Sequence, residues 1–367
     1  MKFVDVIGRW FNRYLANEEA IFLVVLLLVA LVTITTLGAY LAPVLTGLVL
    51  AFVLEGLERR LEAYGLPRIV AFVVTFLIFL GGLIAFLLIV LPLAWRQLRS
   101  LIDAIPSVLS RIQSATINLP EAFEDVLTRE QLQTYLDQLL GEIGNFSATL
   151  VETLLAQVPS IVALLIYLVL VPISVFFFLK DRDDLMRFFA TLLPRERPIL
   201  SRVGSEMNQQ LANYVRGKFI EIFIVGAASY LTFEIMGLNY AALLGLLVGI
   251  SVLVPYVGAA LVTIPVALVA FSQWGWSGDF AWLMVAYAII QALDGNVLVP
   301  LLFSEAVDLH PITIIVAVLA FGGVWGIWGV FFAIPLATLV KAIYNAWPRQ
   351  DDEPGAAELA APAAAES

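Results

Sequence analysis

The sequence predicts an all-α, polytopic transmembrane helical bundle of about eight spans, with an external amphipathic helical insertion and broken helices in its C-terminal half. Three observations carry this. Of 367 residues 61% are hydrophobic and only 14% charged, with a mean hydropathy of +0.96, whereas soluble domains are about a quarter charged. The apolar residues come in uninterrupted runs of spanning length and not in the roughly ten-residue alternating segments of a barrel. Backbone immersed in lipid must then be helical to satisfy its own polar groups. Finally, one connection is crowded with cations, which orients the rest.

Taken in order, the membrane part opens at 1–95. An apolar run over 20–54 is broken only by Pro43. It is too long for a signal peptide. As a helix it would extend about 50 Å, more than a hydrocarbon core of about 30 Å. The expectation is therefore a helical hairpin turning at 40–43, followed by a third span over 69–93. Residues 96–157 are acidic in balance. Leu98, Leu101, Ile102, Ile105, Val108, Leu109 and Ile112 fall at helical spacing there, as do Leu132, Leu136, Leu139, Ile143 and Phe146. That describes an amphipathic hairpin lying on the membrane or against a neighbouring subunit, or alternatively a gate or cap over a pathway.

A fourth span is expected over 158–179. Beyond it Lys180, Arg182, Arg187, Arg195, Arg197, Arg202, Arg216 and Lys218 crowd one connection, 180–217 with its first following residue. The excess of Lys and Arg places it in the cytoplasm. Both termini are then cytoplasmic and the 96–157 region external, which an even number of spans satisfies. The core at 218–346 supplies spans over 219–236, 241–271, 281–300 and 312–344. The sixth and eighth are longer than a straight crossing needs, so they are tilted, kinked or re-entrant. Each carries an Ile-Pro-x-Ala element, at Ile264-Pro265 and Ile334-Pro335, a hint of internal repetition. The tail at 347–367 is rich in Ala, Pro and Glu, with little to bury, and is expected to be disordered.

Chemistry is narrowed by what is missing. There is no cysteine and a single histidine, His310, so thiolate chemistry and histidine-rich metal sites are out. No GxxxxGK[ST] loop is present for nucleotide. No enzyme activity, cofactor or metal is expected, and nothing points to nucleic acid. The partners expected are the lipid bilayer and a small polar solute or ion, moved passively or with a proton or sodium gradient. The candidate site is Gln291, Asp294 and Asn296 late in the seventh span, with Tyr256 in the sixth. Gln291 and Asp294, three apart, share a helix face, and an ionisable group at membrane depth is costly without a partner or a wet cavity. The same residue types also cap broken helices. Pro255, Gly258, Gly295, Pro300 and Pro311 are expected helix breaks or hinges. Gly322, Gly326 and Gly329, and Gly245 and Gly249, are expected to be close-packing positions. Glu221 reads either as a proton-coupling carboxylate or as an interfacial partner of Lys218. His310 reads as a helix-start residue or a pH sensor.

The stretches LVPYVGAALVTIPVALVAF, QALDGNVLVPLLFSEAVDLHP and FGGVWGIWGVFFAIPLATLVKA, with NYVRGK ahead of the fifth span, resemble the autoinducer-2 exporter family of bacterial inner-membrane proteins. The second stretch is similar to that family's PerM-type permeases. The resemblance implies about eight spans, a bacterial inner-membrane location, a homo-oligomer, and transport: export of autoinducer-2, or sodium/proton exchange as in other members. The family's marked positions fall on Pro255, Tyr256, Gly258, Asn296, Pro300, Pro311, Gly326, Gly329 and Pro335. Ala259 stands where many relatives have Pro.

Overall fold

The computed structural model describes residues 18–117, 138, 141, 161–194, 197–255, 257–303 and 309–346. Most of the 96–157 insertion, Tyr256 and the 347–367 tail lie outside them. Helices α1 (Glu18–Ala63), α2 (Arg68–Ala85), α3 (Leu91–Ile117), α4 (Ile161–Lys180), α5 (Arg182–Thr191) and α6 (Pro198–Ile235) form the first half. Helices α7 (Ala241–Ser251), α8 (Val257–Trp274), α9 (Gly278–Leu293), α10 (Val299–Phe303), α11 (Pro311–Phe331) and α12 (Ala333–Ala346) form the second. Among the described residues there is no strand, and six helical stretches are long and apolar enough to cross a membrane: Ile21–Ala63, Arg68–Ala104, Ala163–Lys180, Val257–Trp274, Gly278–Phe303 and Pro311–Phe331.

The difference from the expected spans has local causes. The hairpin expected at 40–43 is absent, because α1 runs unbroken through Pro43 for 46 residues. A proline removes one donor, but a membrane helix tolerates that where neighbours re-satisfy the freed backbone. The expected fifth span is the apolar second half of α6, which carries Lys218, Glu221 and Glu234 and is not one of the six. The expected sixth span is a helical hairpin. Helix α7 stops at Ser251, and α8 returns beside it, so that the Gln273 carboxamide accepts from Asn239 N at 2.8 Å and donates to Gly237 O at 2.7 Å. The expected eighth span also folds back, as α11 and α12, with Gly326 at φ 61° where a side chain would be strained.

The expected seventh span does not break at Gly295. It continues through a π turn at Asp294–Leu298 into α10. A matching π turn at Phe86–Val90 joins α2 to α3. Each ends two residues before a proline, Pro300 and Pro92. A proline ring presses on the carbonyl four residues back, here Asn296 and Leu88, both inside the widened turns. The π turn thus lets each helix pass its proline without unwinding.

The chain forms two compact units. One comprises the described parts of Pro43–Lys180 and Tyr214–Glu305. Its core packs Val225 and Phe233 of α6, Leu244 and Val248 of α7, Val266 of α8, and Leu283 and Tyr287 of α9. A second cluster sets Ala51 of α1 against Val171 and Val175 of α4, where a Cβ on Gly47 would lie 2.4 Å from Ser174 Cβ. The other unit comprises the described parts of Met1–Ala42, Asp181–Asn213 and Ala306–Ser367. There Glu19 Oε1 accepts from Leu200 N at 2.7 Å, a carboxylate at the start of α6 where the helix dipole favours it. Ala317 packs against Ala333 and Ala337 in the same unit.

Candidate functional site

The site is assembled in the first unit from α6, the turn after α7, and the π turn after α9. Helix α6 changes character at Asn213-Tyr214-Val215-Arg216-Gly217-Lys218, and each of the last five residues faces the interior or a neighbour. Tyr214 packs against Phe303 of α10, the ring centroids 5.7 Å apart and the planes tilted by 40°. Arg216 Nε donates to Phe52 O of α1 at 3.0 Å, and its Nη2 lies 3.8 Å from Glu55. Gly217 clears the Phe303 ring, which would stand 2.7 Å from a Cβ there. Lys218 then enters the core with its side chain only 6% exposed, beside Glu221 at 2%.

Lys218 Nζ donates to Glu221 Oε2 at 2.8 Å and to Val252 O at 2.7 Å, and lies 5.5 Å from the centre of the Phe303 ring. Val252 is the C-cap of α7, where unpartnered helix carbonyls concentrate partial negative charge. Asp294, which opens the π turn, is within electrostatic reach of both Lys218 and Glu221. Its Oδ1 is buried with no hydrogen-bond partner, and so is Nε2 of Gln291 one turn earlier. Burial without a partner is costly for either atom, which makes this face of α9 competent to receive a polar group.

The other sequence candidates separate clearly. Asn296 Nδ2 donates to Ala292 O at 2.8 Å, so its amide covers a carbonyl of the last turn of α9, just ahead of the π turn, and takes the capping alternative. Tyr256 lies outside the described residues. Pro255 sits in the turn between α7 and α8, where Gly258 N donates to Val254 O. Gly258 is pressed so closely on Ser251 that a Cβ would stand 1.8 Å from its carbonyl oxygen. Gly295 is the opposite, with open space around it, and Pro300 lies inside a continuous helix. Pro311 is no hinge but the first residue of α11, capped by His310, whose Nδ1 accepts from Ile312 N at 3.3 Å.

Gly245 and Gly249 meet α6 at backbone distance. A Cβ on Gly245 would lie 2.8 Å from Tyr230 Cα, and one on Gly249 2.8 Å from Ile222 O. In the other hairpin a Cβ on Gly322 would lie 2.8 Å from Val330, and one on Gly329 1.9 Å from Phe321 O. Lys218 is the member that the sequence reading left out of the site. Its signal was present, three residues before Glu221 on one face, but it stood at the end of a basic run that also reports topology.

A helix-only apolar bundle with a charged cluster at a broken helix is the architecture of an integral membrane transport protein. Comparison with known proteins agrees, for the chain belongs to the AI-2E family transporters, whose family model matches residues 10–349. It is 42% identical over 345 residues to the Escherichia coli (strain K12) protein named "Putative permease PerM", covering 94% of this chain and 98% of that one. It is 28% identical over 307 residues to the Bacillus subtilis (strain 168) protein named "Putative transport protein YueF", covering 82% of each. A Thermotoga maritima protein named as a transport protein is 23% identical over 347 residues, 94% of this chain and 99% of its own length.

Proposed function

We propose that this chain moves a small polar solute, of the kind represented by autoinducer-2, across the bacterial inner membrane by gradient-driven alternating access. Its solute and coupling site lies at Gln291 and Asp294 beside Lys218 and Glu221. The observation that carries the reading is the unpartnered, buried Oδ1 of Asp294 facing a buried ion pair at the end of a half-length helix. An intramembrane carboxylate without a partner is expensive unless it serves a pathway. Asn296 supports the π turn, and Gly258 and Pro255 hold the hairpin tip that presents Val252 to Lys218.

Proteoliposomes with imposed proton or sodium gradients test this, with autoinducer-2 flux and sodium/proton exchange followed for wild type and Asp294→Asn. Saturable, gradient-driven flux in wild type and its loss in the correctly inserted variant is the expected result. Flux that neither saturates nor responds to a gradient identifies a passive facilitator instead. Equal flux in both proteins removes Asp294 from the site, and absence of every flux favours a membrane scaffold.

A further inference from the structure

Broken helices in transporters leave carbonyls at a half-helix C-terminus, and those carbonyls commonly receive the coupling cation. Helix α7, eleven residues long, is such a half-helix. Here its capping carbonyl is already occupied. The ammonium of Lys218 bonds Val252 O at 2.7 Å and Glu221 Oε2 at 2.8 Å, and the Phe303 ring lies 5.5 Å away. A tethered cation therefore stands where a free one would bind.

Charge balance gives the next step. Lys218 faces two carboxylates, Glu221 from its own helix and Asp294 from the π turn. One ammonium neutralises one of them and leaves a negative charge over. Of the other titratable groups nearby, Tyr214 is packed on Phe303, Arg216 is turned toward Phe52 and Glu55 of α1, and Tyr287 of α9 is bonded to Thr263. A sodium ion could complete the balance only by sharing oxygens that the ammonium already holds, bringing two cations together in a site of low dielectric. A proton needs no such ligand set, only one carboxylate oxygen.

We propose that the coupling ion is the proton, one per chain, carried by the Asp294–Glu221 carboxylates, with Lys218 as the fixed cation that excludes sodium. The inference rests on the transport reading of the same site. A hydronium ion on one side gives up a proton, its O–H bond breaking as an O–H bond forms at the Asp294 carboxylate; on the other side that bond breaks as the proton passes to a water molecule, and the carboxylate is restored.

Infrared difference spectroscopy on the full-length chain in lipid nanodiscs tests it without any transported solute. On acidification, the wild-type-minus-Asp294→Asn double difference should contain the carbonyl band of a newly protonated buried carboxyl. That band should be the same in sodium chloride and in choline chloride. In a folded Lys218→Ala variant the vacated position should admit sodium, which then suppresses the band. A double difference without the band, or suppression by sodium in wild type, overturns the proposal. Sodium-insensitivity of folded Lys218→Ala overturns the part given to Lys218. If that variant does not fold, the sodium arm on wild type decides. Gradient-driven flux without the band sinks the proton site and spares transport, and the band without flux does the reverse.

Discussion

Removing Lys218 should be more damaging than removing Glu221, although the two form one ion pair. Breaking a buried pair by deleting one partner typically costs about 3–5 kcal/mol, because the other charge is left uncompensated. Lys218→Met leaves two carboxylates, Glu221 and Asp294, with no cation between them. It also strips Val252 O of its donor at the end of α7. Methionine keeps the length and an acceptable contact with the Phe303 ring, so the loss is chiefly electrostatic, and about 3–5 kcal/mol is expected. Glu221→Gln is milder. Lys218 keeps the Val252 carbonyl, and Asp294 remains as its counter-charge. The loss is then one hydrogen bond between charged groups, about 1.5–3 kcal/mol.

The double variant Lys218→Met/Glu221→Gln leaves Asp294 as the one charge, the same net charge as wild type, and should be more stable than Lys218→Met alone. Reversible unfolding in mixed micelles of rising dodecyl sulfate fraction, followed by tryptophan emission, measures all four proteins. If Lys218→Met unfolds no earlier than Glu221→Gln, or if the second substitution makes Lys218→Met worse, then Asp294 does not share the field of the pair and the site as described is wrong.

The same assay checks the backbone. Gly258→Ala would place a methyl 1.8 Å from Ser251 O, a backbone atom that cannot swing aside, and should cost about 3 kcal/mol, the upper end of overpacking. Gly295→Ala, in open space within a helix, should match wild type or gain up to about 1 kcal/mol from helix propensity. Asn296→Ala uncovers the Ala292 carbonyl and should cost about 1 kcal/mol. In the flux assay Asn296→Ala should retain gradient coupling, unlike Asp294→Asn, because its amide is spent on the backbone.

What was legible in the sequence followed from lipid as solvent. Runs such as 20–54 and 69–93 have no soluble alternative, and the three-residue spacing of Gln291 and Asp294 places both on one helical face. The errors came where local rules were overridden. Pro43 reads as a turn, yet an apolar helix in lipid gains more by keeping its remaining backbone bonds than by opening. Gly295 beside Asp294 reads as a break, but Pro300, five residues on, is accommodated by a π turn, whose single extra residue per turn leaves no trace in composition. Lys218 was hidden by its company. Seven other cations precede it in one connection, and only burial and the bond to Val252 separate it from them. Gly258 and Gly295 look alike as letters, and only the carbonyl of Ser251 makes one of them irreplaceable.

The Ile-Pro-x-Ala elements bear on whether the two hairpins are repeats. Each hairpin carries near its turn a glycine seated on a carbonyl seven or eight residues back, Gly258, the second residue of α8, on Ser251 and Gly329, shortly ahead of α12, on Phe321. The turning device is thus shared, but the register is not. Ile264 follows its glycine by six residues and Ile334 by five. One residue rotates a helix face by about 100°. Ile264 is accordingly 56% exposed where Ile334 is 9% exposed. The chemistry at the tips diverges as well. The α7 tip offers Val252 O to an ammonium, whereas the α11 tip stacks Phe332 between Trp325, at 5.8 Å, and Trp328, at 6.1 Å. Among the described residues only the first hairpin meets a buried charge pair at its turn. If the two arose by duplication, the buried charge pair was kept at one tip and aromatic packing at the other, and substitutions at the aromatic tip should alter stability while leaving the ion selectivity proposed for Lys218 unchanged.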